Sequence, residues 1–245
     1  MYFSILCLLS VLTPPLLARA DNPICVQQSL PKIIPADSTW EQLANPNLSD
    51  PNPKTYTYLI HALPSRLNLQ RILNAEKEGG MEVSHALDLV THPELISLKK
   101  KISTSVITEK SHRTFEERGF GYIMKAHLEN IVATRNADMG SAVTVRPNQI
   151  EEFYAIMADK YPVQTPAAMS NDPSKMNEVL LRGTSKSGKK VEIGAIWVFV
   201  DTQGHLNLNP SELEDLNYLK EKLKLPVIQL SEGNNRLRMI LDSNK

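Results

Sequence analysis

The stretch "NEVLLRGTSKSGKKVEIGAIWVFV", residues 177–200, admits two readings that lead to different folds. Gly183–Lys190 spells G-x-x-x-x-G-K-K, one residue short of the phosphate-binding G-x-x-x-x-G-K-[ST], and Lys190 stands where the magnesium-holding hydroxyl belongs. A phosphate loop runs from a buried strand into a helix whose N-terminus supplies the anion site. The residues after Lys190, "VEIGAIWVFV", are instead rich in β-branched and aromatic types and read as a strand. The segment is therefore expected to be a hairpin of "EVLLRG" and "VEIGAIWVFV", turning near Ser187-Gly188, with Lys186, Lys189 and Lys190 as solvated turn residues. Glu178 then stands at the head of an apolar strand.

Upstream, "TYTYLIHAL" reads as a first strand ended by Pro64, and "SRLNLQRILNAEKEGG" as a helix closing on Gly79-Gly80. "MEVSHALDLV" continues helically, and Thr91-His92-Pro93-Glu94 opens a new short helix. "KISTSVI", residues 101–107, has strand composition. Thr114 and Glu117 form a capping box, and "GFGYIMKAHLENIVA" fits helix and strand equally. Asn148-Gln149-Ile150-Glu151 caps a helix over "QIEEFYAIMADKY". Downstream, Asn209, Pro210 and Glu212 make the strongest helix start in the chain, before "PVIQL" and "RLRMIL" as a last hairpin. The fold class is α+β, mostly antiparallel sheets with helices.

The ends and the composition narrow the function. Residues 1–20, "MYFSILCLLSVLTPPLLARA", read as a secretory signal peptide closed by Ala18-Arg19-Ala20, although no Lys or Arg precedes the apolar run. The run is too short and proline-broken for a membrane span, so an exported, secreted protein is expected. Loss of Cys7 with the signal leaves Cys25 as the single cysteine, which excludes an intrachain disulfide. Removing Arg19 leaves 26 basic against 27 acidic residues, a balance with no footprint for nucleic acid or an anionic membrane. Residues 21–54, rich in Pro, Asn and Ser, read as an extended leader. His85, Asp88 and His92 share a helical spacing, but Thr91 and Pro93 interrupt it, so no metal is predicted. No G-x-S-x-G occurs, and Glu212-Leu213-Glu214 is explained by acids favouring a first helical turn.

Three features fall in order: "LIHALPSRL" with His61, "KISTSV" with Ser103-Thr104-Ser105, and Glu178 before "VLLRG". With "GFGYIMKAHLENIVATRNADMG" as the strand and Asn/Asp-containing turn between them, this order resembles the bacterial mono-ADP-ribosyltransferase toxin family, in its cholera- and pertussis-toxin-like branch. The resemblance covers residues 55–200 and implies an ADP-ribosyltransferase-like core, with residues 201–245 a small C-terminal α/β extension packed on it. It implies NAD as substrate of an ADP-ribosyltransferase or NAD glycohydrolase, a protein target in a host or competitor cell, and a role in virulence. It assigns Glu178 and Ser103 as catalytic, the carboxylate stabilising positive charge on the ribose and Ser103 orienting it. His61, Thr104 and Ser105 become the cofactor-binding set, a neutral imidazole being able to hydrogen-bond the NAD ribose or phosphate side. Two residues before the late Glu, arginine-modifying members carry Glu and asparagine- or cysteine-modifying members Gln; here Met176 stands there and can do the work of neither.

A second resemblance competes. "VLLRGTSKSGKKVEIGAIWVFVDTQGHL" is similar to the paired long strands of the nuclear-transport-factor-like (SnoaL-like) cone fold, with "QIEEFYAIMADKYP" as the preceding helix. That implies a non-enzymatic exported binding module whose apolar pocket is lined by Trp197 and Phe199; an inactive transferase fold kept for binding, favoured by Met176, is the intermediate reading. The two differ in one geometric respect: only the transferase requires His61, Ser103 and Glu178 to meet.

Overall fold

The computed structural model describes residues 26–29, 39–40, 58–63, 93–107, 119–139, 147–169, 177–201, 203–233 and 236–241. Their strands are β1 (Val26–Ser29), β2 (Tyr58–Ala62), β3 (Ile102–Ile107), β4 (Phe120–Lys125), β5 (Ile131–Arg135), β6 (Glu178–Leu181), β7 (Glu192–Val200), β8 (Val227–Gly233) and β9 (Arg236–Leu241). Two α-helices join them, α1 (Ile150–Lys160) and α2 (Pro210–Leu223). The strands form one mixed sheet in the order β1-β9-β8-β7-β4-β2-β3-β6-β5. β7 and β8 are parallel, as α2 carries the chain back along the sheet; the other pairings are antiparallel. The α+β class read from the sequence is this architecture.

The interior strands β3 and β6 are buried on both faces, which is why "ISTSVI" and "EVLL" read as runs rather than alternations. One face carries Leu59, Ile102, Val106, Tyr122, Val179, Leu181 and Val198, covered by Ile96 of the 3-10 helix Pro93–Leu98 and by Leu216 and Leu219 of α2. The other face splits. Ile60, Ile107, Ile123, Trp197, Phe199, Ile228 and Leu230 form one cluster, while Ala133 and Leu180 pack under Tyr154 and Met157 of α1. Ser103 and Ser105 lie on this second face, by alternation with Ile107.

The 177–200 stretch departs from the expected hairpin. β6 pairs with β3 on one side and β5 on the other, so it has no edge left for β7, which lies between β4 and β8. Only the tip keeps hairpin geometry, through the Thr184–Lys190 bridge and the Ser185 N to Lys189 O bond of 2.8 Å. The paired long strands of the cone-fold resemblance are therefore absent. Gly183 is fixed by packing: a Cβ there would sit 2.5 Å from Lys99 O and 2.7 Å from both Ile96 O and Ser97 O. The nucleotide-like spacing marks a strand end docked on a helix terminus, followed by a turn.

Elsewhere "GFGYIMKAHLENIVA" resolves into β4, a 3-10 turn at Leu128–Asn130, and β5. α1 starts from a 3-10 turn at Pro147–Gln149 without a side-chain cap, whereas α2 has the expected reciprocal Asn209–Glu212 box. The last hairpin, β8–β9, continues the same sheet, and Val26–Ser29 adds to its edge against β9. The helical readings over 65–92, the Thr114–Glu117 box, residues 1–20 and Cys25 lie outside the described residues.

Candidate functional site

β2 and β3 run side by side only from Tyr58–Ile107 to Ile60–Ser105. Beyond that point β2 continues against β4 as far as Ala62, and β3 continues against β6 back to Ile102. The ladder therefore opens at His61 and Ser103, and a backbone carbonyl facing the opening needs another donor. His61 provides it, with Nδ1 2.7 Å from Ser103 O. Because a carbonyl only accepts, Nδ1 carries the proton, which makes Nε2 the acceptor of the neutral ring.

Glu178 enters from the other side of β3. It is cross-strand to Ser105 on β3 and to Arg135 on β5, so Ser103, Ser105, Glu178 and Arg135 share one face. Ser103 Oγ donates to Glu178 Oε1 at 2.6 Å, a diagonal contact between residues 75 positions apart in sequence. Oε2 accepts from the Met139 backbone N–H at 2.5 Å. Both carboxylate oxygens are thus held, and Glu178 is only 1 % exposed, while Ser103 and His61 are half-buried. A buried carboxylate without such donors would carry a large desolvation cost.

Ser103 and Glu178 meet side chain to side chain across β3 and β6, whereas His61 reaches the Ser103 backbone carbonyl and, by alternation with Leu59, belongs to the opposite face of the sheet. Ser105 lies beside the Ser103–Glu178 pair, buried between Ile60 and Glu178. Thr104 points to the opposite face, where its fully buried hydroxyl donates to Val179 O at 2.7 Å, tying β3 to β6. Met176 lies outside the described residues.

Sequence reasoning missed the segment after β5. The Met139 N–H is a backbone donor and has no side-chain signature, and Arg135 reaches this face only through the β5–β6 register. Arg135 Nη1 donates to Asp138 O at 2.8 Å and lies 3.2 Å from the Tyr161 hydroxyl, its guanidinium 4.9 Å from that ring's centre. The nearby Tyr154 stacks under Arg182 at 4.1 Å and donates its hydroxyl to Lys100 O. Burial pushes the Tyr154 phenol up to about 12; the Arg182 charge opposes the shift and Glu151 adds to it.

The "GTSKSGKK" tip is a separate construction. Fully buried Asn130 donates to Arg182 O and Lys189 O, at 3.1 and 2.9 Å, and accepts from His127 N. The Glu129 carboxylate accepts from the Ser187 and Ser185 hydroxyls. Ser185 Oγ in turn accepts from Lys189 N at 2.9 Å. The Ser185 and Ser187 hydroxyls and the Lys189 carbonyl are thus bonded to side chains of the β4–β5 connection, while the Lys189 N–H stays within the tip. Among the described residues no group of three or more His, Cys, Asp or Glu side chains is arranged to hold a metal. No helix among them is long and apolar enough to cross a membrane.

Comparison of the chain with protein-family models, with curated proteins and with solved structures finds no match in any of the three.

Proposed function

We propose that this protein cleaves the nicotinamide–ribose bond of NAD and transfers the ADP-ribose to a protein of a host or competitor cell, on a core of the ADP-ribosyltransferase type. The observation that carries the reading is the Ser103–Glu178 side-chain hydrogen bond across β3 and β6, a pair the resemblance required, with His61 bonded to the Ser103 carbonyl at the opening beside it. The chemistry suits these groups. As the C–N bond breaks, its electron pair leaves with nicotinamide and positive charge develops on the ribose; a fixed carboxylate stabilises that charge. Ser103 and the Met139 N–H keep the carboxylate from rotating away. An acceptor nucleophile then bonds to the ribose carbon and releases its proton; water in its place gives free ADP-ribose. Substrate approaches at the opening between β2 and β3, where Ser103 and His61 are half-buried, and the imidazole hydrogen-bonds its ribose or phosphate side. Export by the N-terminal segment would deliver the protein to such a target, consistent with a toxin.

The test is nicotinamide release from NAD by purified protein beginning at residue 21, with and without a eukaryotic lysate. Glu178→Ala and Ser103→Ala run in parallel, each checked for native melting. Turnover abolished by the first change and reduced on the order of 10²-fold by the second supports the reading. No turnover and no NAD binding by the unaltered protein rejects it and leaves a non-enzymatic exported binding module.

A further inference from the structure

The Asp138–Met139 peptide group is held at both ends. Its carbonyl oxygen accepts from Arg135 Nη1 at 2.8 Å, and its N–H donates to Glu178 Oε2 at 2.5 Å. One planar amide therefore lies between a guanidinium and a carboxylate that are also cross-strand partners on β5 and β6. A cation on the carbonyl oxygen draws electron density along the conjugated O–C–N unit and makes the N–H a stronger donor, so the two hydrogen bonds reinforce one another. The short chain from Arg135 to Met139 is thereby folded back on its own strand end, and Tyr161, stacked beside the guanidinium, limits the directions it can take.

We infer that Arg135 is a positioning residue: without touching substrate, it fixes and polarises the Asp138–Met139 peptide so that the amide holds the Glu178 carboxylate in its working orientation. This rests on the proposed NAD reading for its effect on catalysis, and on the geometry alone for its effect on Glu178. Arginine is specifically suited to the place. Its planar fork can serve the carbonyl while the plane stacks on Tyr161, and a lysine supplies the charge without the stack.

The experiment uses two-dimensional amide NMR, deuterium exchange and nicotinamide-release kinetics on Arg135→Gln, Arg135→Lys and Arg135→Ala. In Arg135→Gln the Met139 amide proton moves upfield and exchanges about fivefold faster, the loss expected for one hydrogen bond of about 1 kcal/mol. Arg135→Lys keeps part of the downfield shift. Added ethylguanidinium restores it in Arg135→Ala, which a merely structural role would not produce. In the same series kcat falls about 10- to 100-fold in Arg135→Gln while the KM for NAD stays within about twofold, the pattern of a group acting through another. A Met139 amide unchanged by Arg135→Gln overturns the inference, as does a kcat that rises, which would make the peptide a cover over the carboxylate. If the unaltered protein releases no nicotinamide, the NAD reading fails while the NMR result still decides the role of Arg135.

Discussion

Glu178 accepts from a side-chain hydroxyl on one oxygen and a backbone amide on the other, and the two oxygens are not equivalent to an amide pair. In Glu178→Gln the amide oxygen can keep the Met139 N–H while the NH2 donates to Ser103 Oγ, whose hydroxyl then accepts, so two bonds to a charged acceptor are replaced by neutral ones. The expected cost is about 1–3 kcal/mol in urea unfolding, against about 1 kcal/mol for Ser103→Ala, which removes one donor from a half-buried position. Equal costs would mean that Met139 does not hold the carboxylate. Tyr154 gives a second test at this scale. Its phenol ionises at about 12 in the folded protein against an ordinary 10, with burial the largest cause. The stability it contributes is complete below pH 10 and is lost as the pH rises from 10 towards 12, because the unfolded chain gives up the proton first. Ultraviolet titration should show at least two tyrosines ionising late, because burial raises Tyr122 still further, and Tyr154→Phe should remove the earlier late step.

At the scale of elements, the β6–tip–β7 connection separates two glycines that a motif search treats alike. Gly183 is enclosed by the carbonyls of Ile96, Ser97 and Lys99, and its N–H bonds Lys99 O at 2.8 Å. Gly188 has φ of 89° in open space. Gly183→Ala should therefore cost about 3 kcal/mol by forcing the strand end off the 3-10 helix, and Gly188→Ala about 1 kcal/mol from backbone strain alone. Denaturant midpoints at constant m would establish the order, and the reverse order would refute the packing account of the first glycine. The tip also responds to pH. The Ser187 hydroxyl, chiefly, holds the Glu129 carboxyl below its ordinary 4.5; partial burial opposes this, and Ser185, Lys189 and His127 assist it. Its contribution to tip order is present above that ordinary value and disappears as pH falls through the lower folded one. Being exposed, the group adds little to global stability. Amide resonances of Ser185 and Lys189 should move in acid, and Glu129→Gln should abolish the movement.

For the whole molecule, α2 is the crossover that makes β7 and β8 parallel neighbours, and Leu216 and Leu219 seat it on the larger core. Leu219→Ala should destabilise the fold by about 2–5 kcal/mol, and Leu213→Ala, on the outer side of the same helix, by less than about 1 kcal/mol. If secondary-structure and tryptophan signals melt together in Leu219→Ala, the sheet from β7 to β9 unfolds with the part that carries Glu178.

The chain's own residues determined most of its elements: a capping box and proline at Asn209 start α2, β-branched runs make β3 and β7, and turn residues place the tip at Ser187-Gly188. They also marked His61, Ser103 and Glu178 by residue type and order. Local signals stop there, because a strand's sequence records that it is buried on both sides and not which strands bury it. Tertiary structure decided that β6 inserts between β3 and β5 rather than folding back on β7, since the edges of β3 and β5 were open to it. It decided that β2 and β3 part at His61, which brings the imidazole to Ser103, and that Arg135 and a backbone amide stand behind Glu178. Each of these depends on register across residues far apart in the chain, where a shift of one position would turn every side chain to the other face.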